Sequence, residues 1–477
     1  MPRQIAALVF ILGIGWLFVL ARERRARTSG ALWLPVIWLA LVGSRSVAEW
    51  IAIFGLGGFA SSTGNQYLEG SPFDRNVYLA LTVFALLVLF KRYGRTGILL
   101  RLNAPILLYF AYCAVSILWS DYPDVAFKRW IKAVGDLAMV LVVLTDPDPL
   151  TATRRLFRRA AFVLLPISIL FIKYYPELGR SYHPDIGAWT ASYTGVTTSK
   201  NLLGMITMVF GLASLWCFLQ LWLRHEGRQT TRPLIAHGIL LAMVAWLFWM
   251  ANSATALSCF VMAAGLIAAT SLTKIGRKPW LVHMLVLAVL FVPLYAMFGS
   301  SGGGLLGTVG RDSTLTGRTD IWALALSMRG NALLGRGFES FWLGWRLLKV
   351  QDVFRFQLQE AHNGYLEIYL NLGWIGIALL TLLAVTGYRN VLAAFRHKSE
   401  TASLRLAFFV GALIYNLTEA GFRTQNPIWI VFLLAALAIP RDSTQQRPTS
   451  PREACNDVES ESRLDKLVGV GLRQEVV

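Results

Sequence analysis

Acidic residues are scarce in this sequence: 27 Asp and Glu stand against 45 Lys and Arg, a formal charge of +18. In a soluble chain that excess would point to nucleic acid. Its distribution removes nucleic acid from the partners, because the basic residues collect in short clusters between apolar runs. Cysteine is also rare. Cys113, Cys217 and Cys259 fall in hydrophobic segments and Cys455 in a polar tail, which leaves neither a disulfide framework nor a metal-ligand spacing. The first apolar run ends in Arg22-Glu23-Arg24-Arg25 without a small-residue processing site, so it is expected to stay as the first span. Period-two alternation is missing from the apolar runs, which argues against a membrane barrel. No internal repeat is evident, which counts against a transporter built from two similar halves.

What the chain has is apolar length. Its hydrophobic content is 55% and its mean hydropathy is +0.53. Lipid offers the backbone no hydrogen-bonding partner, so runs of this kind must be helical. The expected fold class is therefore all-α, a polytopic membrane helix bundle. Spans are read at roughly 4 to 20, 31 to 43, 74 to 90, 104 to 119, 127 to 144, 160 to 175, 201 to 223, 233 to 251, 254 to 272, 280 to 298, 363 to 386, 404 to 418 and 427 to 439. That makes about twelve or thirteen, with the stretch 47 to 60 open as a half-buried or re-entrant segment. The domains follow as spans over 1–298, a long polar loop over 299–362, further spans over 363–440 and a tail over 441–477 expected to be largely disordered.

The basic clusters around Arg22 to Arg27, Lys91 to Arg101, Arg154 to Arg159, Arg224 to Arg232, Lys274 to Lys278 and Arg389 to Lys398 occupy alternate loops. By the positive-inside rule these loops are cytoplasmic, which places the 299–362 loop outside and the tail inside. That loop holds most of the candidate chemistry. Ser301-Gly302-Gly303-Gly304 reads as a flexible entry, and Thr319 can cap a helix bearing Ile321, Leu324, Ala325 and Met328. Arg318 would then precede a helix N-terminus, where a guanidinium and free N–H groups face an anion. Taken singly, Arg318 reads rather as a surface cation paired with Asp320 or solvent. A second helix near 338 to 349 would set Phe338, Phe341, Trp342 and Trp345 along the membrane interface, and Trp322, Trp342 and Trp345 read as lipid anchors or sugar platforms.

His362 opens the next span with Asn363 as its N-cap, so the helix dipole should disfavour the imidazolium and leave a neutral base. Glu367, one turn on, can orient the site, act as a base or pair with an Arg. Lys128, Arg129, Lys132 and Asp136 gather at one end of the fifth span, with a Lys132–Asp136 pair as the simplest arrangement. Glu419 and Arg423 form a similar pair with a structural reading. Lys200 can snorkel to the interface. The long loop contains no Asp-x-Asp cluster, in keeping with a mechanism that needs no metal or other cofactor.

The ordered set His362-Asn363-x9-Gly373-x-x-Gly376, with Gly317-Arg318-x-x-x-Trp322 and Gly335-x-Gly337-Phe338 upstream, resembles the O-antigen ligase and Wzy-type polysaccharide polymerase superfamily. The run from about 310 to 380 is most like its exopolysaccharide polymerase branch. Gly195-x4-Lys200-Asn201-x-x-Gly204 is similar to a further segment of that family, although Ser199 stands where many relatives have His. The resemblance implies a membrane-embedded glycosyltransferase of the metal-independent, inverting kind. It would transfer a glycan from an undecaprenyl-diphosphate carrier to an acceptor hydroxyl at the outer face of a bacterial inner membrane. Arg318 and Lys200 would hold the diphosphate and His362 would take the acceptor proton, with Asn201, Asn363, Glu367 and Trp322 lining the substrate. The similarity of Gly317 to Trp322 and of Ala361 to Leu366 favours a polymerase of lipid-linked repeat units, with a ligase and, from a different class, a flippase or exporter as the alternatives. A chain-length regulator protein stays open as a partner beside the lipid-linked oligosaccharide and membrane lipid.

Overall fold

The computed structural model describes residues 1–22, 28–53, 55, 71–185, 188–223, 228–298, 315–354 and 359–439. The expected entry at Ser301 to Gly304, most of the 47 to 60 stretch beyond Ile53 and the 441–477 tail lie outside these residues.

Each predicted span coincides with a helix. In chain order these are α1 (Arg3–Leu20), α2 (Trp33–Val42), α3 (Val47–Ile53), α4 (Pro72–Lys91), α5 (Tyr93–Leu102), α6 (Ala104–Val115), α7 (Pro123–Leu144), α8 (Pro149–Tyr174) and the short α9 (Pro176–Gly179). After a hairpin of β1 (Arg180–Asp185) and β2 (Ala188–Tyr193) come α10 (Lys200–Leu223), α11 (Arg228–Ala251), α12 (Ala254–Leu272) and α13 (Pro279–Phe298). The polar loop carries α14 (Leu315–Ser327) and α15 (Trp345–Phe354), and α16 (Gly364–Arg396), α17 (Ala402–Thr418) and α18 (Pro427–Ala436) complete the bundle. The antiparallel hairpin, with Arg180 opposite Tyr193, is the one departure from all-α among the described residues.

The protein is a membrane helix bundle. Six of its helices are long and apolar enough to cross a bilayer alone, and eight crossings result if two bent pairs each count as one. One such pair joins the segments Gly30–Val42 and Val47–Ile53 at 73°, the geometry of a broken span or a re-entrant loop. Among the six, α10 is the most buried, and α8, α11, α12, α17 and α18 pack around it.

Helix α16 is broken where the site needs it. Gly373 has φ 63° and ψ −163°, a backbone region that is essentially closed to other residues. A Cβ there would come within 2.2 Å of the Leu333 carbonyl oxygen. Unpaired backbone at membrane depth must find partners inside the protein. The loop supplies them: Trp374 N–H donates to Ala332 O (2.9 Å) and Ile375 N–H to Leu333 O (3.2 Å). In return the carbonyls of Leu370 and Asn371 accept from Arg336 and Gly337 at 3.1 and 2.8 Å. The glycines of the Gly335-x-Gly337 and Gly373 motif are thus a backbone seam between loop and span. We predict that Gly373→Ala costs at least about 3 kcal/mol, the sum of a forbidden conformation and a steric overlap. Thermal unfolding in detergent measures it; an unchanged midpoint would show that the seam does not require glycine.

Candidate functional site

The loop folds down on the end of α16 as a packed cap. Ile321, Ala325, Met328, Phe341, Trp342, Val350, Ala361 and Leu370 form its core. Burial of side chains this large contributes roughly 1.5–3 kcal/mol each. Phe341 and Trp342 are buried inside the cap, and Phe338 is buried as well, so these rings are not interfacial anchors as expected; only Trp345 of that group is well exposed. The segment 338–344 is a series of turns, and the helix begins at Trp345. The physical reason is Glu367. Trp342 Nε1 donates to both carboxylate oxygens at 2.8 and 2.9 Å, and Ala361 N–H donates to one at 2.5 Å. A buried carboxylate needs such donors, and these two, through three contacts, bind the cap to α16. Glu367 pairs with no Arg among the described residues; it is spent on holding the cap.

Trp322 is half-buried against this core, its Nε1 donating to Ala361 O at 2.8 Å. That bond fixes the residue before His362. His362 itself sits at φ 49°, a left-handed conformation that histidine tolerates better than bulkier residues. Asn363 caps α16 as expected, its Oδ1 accepting from Tyr365 and Leu366 N–H at 3.0 Å each. Its Nδ2 reaches Leu417 O at 3.1 Å, and Gly364 N–H donates to Glu419 O at 3.1 Å. The start of α16 is thereby stapled to the end of α17.

Glu419 follows the last residue of α17, at the negative end of the helix dipole, where a carboxylate must be offset by cations. It is. Arg318 Nη2 approaches its Oε1 at 3.1 Å, and Arg318 Nη1 also donates to Thr418 O. Asn201 Nδ2 donates to the same Oε1 at 3.4 Å, and His362 Nδ1 meets Oε2 at 3.0 Å. His362 Nδ1 lies equally at 3.0 Å from Glu360 Oε1, and Glu360 Oε2 pairs with Arg423 Nη1 at 2.7 Å. The result is a continuous row of alternating charge: Arg318, Glu419, His362, Glu360, Arg423. Lys200 is exposed at the first position of α10, next to Asn201.

These neighbours reverse the expected state of His362. Burial lowers its pKa, but hydrogen bonds and charge from Glu360 and Glu419 outweigh that and raise it to about 9. The dipole of α16 is the weaker influence against two carboxylates in contact. Burial likewise pushes the Glu360 carboxyl up, yet His362 and Arg423 together hold it down to about 2. At neutral pH the row carries three cations and two anions.

Several expectations need correction. Arg318 is the fourth residue of α14, because that helix starts at Leu315; it does not precede the N-terminus, and Thr319 is no cap. Its carboxylate partner is Glu419, a hundred residues away, rather than Asp320. The Lys132–Asp136 pair is not formed. Asp136 instead accepts from Trp38 Nε1 and from Gln425 N–H, both at 2.8 Å, while Arg129 donates to Glu339 O. Arg423 answers Glu360, not Glu419. Glu360 is the functional candidate that sequence reasoning missed, and Glu419 reads from sequence only as half of a structural pair with Arg423. The available signal was a carboxylate at the end of an apolar helix, a position unfavourable without nearby cations.

One nitrogen of His362 and the nearest oxygens of Glu360 and Glu419 lie within 4.8 Å of one another, a spacing that could hold a metal ion. Both carboxylates already carry a guanidinium and share the imidazole, so a divalent cation would have to displace two guanidinium groups and the proton of the imidazolium to enter.

Comparison with known proteins covers part of this site. Residues 238–381 match the family described as O-antigen ligase, a stretch that includes Arg318, Trp322, His362, Asn363 and Glu367 but not Lys200, Asn201 or Glu419. The chain is also similar to the exopolysaccharide production protein ExoQ of Rhizobium meliloti (strain 1021), 27% identical over 327 residues covering 64% of this chain and 68% of that protein. The resemblance read from Gly317 to Gly376 is borne out: residues 238–381 match the O-antigen ligase family, in a chain similar in sequence to ExoQ.

Proposed function

We propose that this protein polymerises lipid-linked oligosaccharide repeat units into an exopolysaccharide or O-antigen. It would use a polyprenyl-diphosphate donor at the outer face of a bacterial inner membrane, with the 299–362 loop periplasmic and the tail cytoplasmic. The observation that carries this reading is the charge row under the cap. It joins Arg318 and His362 through Glu419, to which Asn201, the neighbour of Lys200 in the chain, also donates.

The acceptor hydroxyl oxygen forms a bond to the anomeric carbon of the donor sugar as the bond to the diphosphate breaks. The lipid diphosphate leaves with that electron pair, and the configuration inverts. Arg318 and Lys200 stabilise the leaving charge, a role that metal ions fill in other transferases. Glu360 and Glu419 engage Nδ1 of His362, so the neutral tautomer carries its proton there and presents the Nε2 lone pair to the acceptor hydroxyl. Asn201 and Asn363 position these groups from behind.

The profile of glycans in a strain lacking the protein tests this reading. Single-repeat products that reach the outside indicate a lost polymerase. Full-length chains stranded on the carrier would assign it as a ligase, and units trapped on the cytoplasmic face as a flippase.

A further inference from the structure

At the end of α16 far from His362, the described residues enclose a cleft of about 530 Å3 between the α5–α6 corner, the last turns of α16 and the end of α18. Its floor is a hydrogen-bonded joint. Asn103, at the corner, donates to Leu99 O (2.8 Å) and Ala438 O (3.1 Å) and accepts from Ala438 N–H (2.8 Å). Asn390 donates to Ala436 O at 2.9 Å. On this floor stand Arg389 and Arg396, seven residues apart and so two turns along one side of the helix. Neither forms an ion pair or hydrogen bond among the described residues, and no carboxylate lines the cleft.

Two further observations set the depth and the neighbour of this cleft. Helix α5 meets the segment Ala104–Trp119 at 88°, so if the latter crosses the bilayer the former lies along its surface. Its exposed Tyr93, Ile98 and Leu102 alternate with Arg95 and Arg101, the make-up of an interfacial helix. Arg389 also borders an apolar groove of about 430 Å3 between α13, α16 and α17, which extends back to Tyr365. Basic pockets between spans at headgroup depth bind anionic lipid heads.

We propose that Arg389 and Arg396 bind the headgroup phosphate of an anionic phospholipid, one acyl chain of which occupies the groove that Arg389 borders. The ligand is not the glycan donor. The charge row meets α16 at its first turn and Arg389 lies in its last turns, beyond the break at Gly373, so the two sites stand at opposite ends of this helix. The proposal is therefore independent of the polymerase reading.

Native mass spectrometry of the full-length protein, released from mild detergent with added phosphatidylglycerol or phosphatidylcholine, tests it. The wild-type protein is expected to retain phosphatidylglycerol in preference, and the Arg389→Gln/Arg396→Gln double variant to bind it about thirtyfold more weakly, from about fivefold per basic residue. Phosphatidylcholine retention should not change, and Arg389→Lys/Arg396→Lys should keep most of the preference. If the Gln variant does not fold, the wild-type unfolding midpoint still decides: phosphatidylglycerol should raise it and phosphatidylcholine should not. Equal retention of the two lipids by wild type, no change in the double variant, or displacement of phosphatidylglycerol by millimolar inorganic phosphate would each overturn the assignment.

Discussion

Glu419→Gln is expected to lower polymer formed per molecule of protein by at least about a hundredfold, while the protein still inserts and accumulates in the membrane. The substitution keeps the size and one acceptor oxygen, so Asn201 and Thr418 retain their places. What goes is the charge that Arg318 meets at 3.1 Å and His362 at 3.0 Å. Arg318 would then keep only neutral acceptors, Thr418 O and the amide oxygen it shares with Asn201, and would be held less firmly at the position of the leaving diphosphate. Loss of one preorganised donor at a developing charge typically costs 10²–10³ in rate, and here two are loosened together. Glu419→Asp, which restores the charge on a shorter arm, should recover part of the activity. The measurement is glycan length and yield in a complemented deletion strain, normalised to membrane protein. A variant that loses protein in proportion to polymer would show that Glu419 merely holds the end of α17.

Which parts of this arrangement a sequence can display follows from the range of the interactions. Helices such as α4, α10 and α12 are legible because each satisfies its own backbone and must be apolar along its length. Asn363 is legible as a cap because its partners are two and three residues away. The charge row is not, since Arg318 to Glu419 and His362 to Glu419 span 101 and 57 residues, and nothing in either neighbourhood names the other. The same distance hid the roles of Trp322 and Trp342. Both read as exposed rings on short helices, yet each spends its N–H inside the cap, on Ala361 and on Glu367. The motif glycines stood out as a pattern, but only the contact of Leu333 with Gly373 gives the pattern a cause. Expecting neutral His362 failed for a related reason: the helix dipole could be read locally, and the two carboxylates that outweigh it could not.

His362→Ala is expected to abolish long glycan, and the pH dependence of the wild-type protein tells which form of the imidazole does the work. Glu360 and Glu419 raise the pKa of His362 to about 9, from an ordinary 6.5. A raised pKa means that the ionic contacts favour folding fully below pH 6.5 and are lost as pH climbs through 9. At pH 7 nearly every molecule therefore holds an imidazolium, which cannot accept a proton. If Nε2 is the base, turnover must increase about tenfold per pH unit above 7 and level off near 9, with the carboxylates acting to fix the tautomer and strengthen the base. Glu360→Gln removes one of the two carboxylates, lowers the pKa of His362 and should move that rise to lower pH. A cationic role gives the opposite signature, a flat profile from 7 that falls above 9, with His362→Lys retaining activity. The assay is elongation of a purified lipid-linked repeat unit by the detergent-solubilised protein between pH 6 and 9.5, followed by chain length. A rise that shifts with Glu360→Gln ties proton transfer to this imidazole; a decline above 9 would move His362 from base to diphosphate ligand and leave Arg318 and Lys200 in their places.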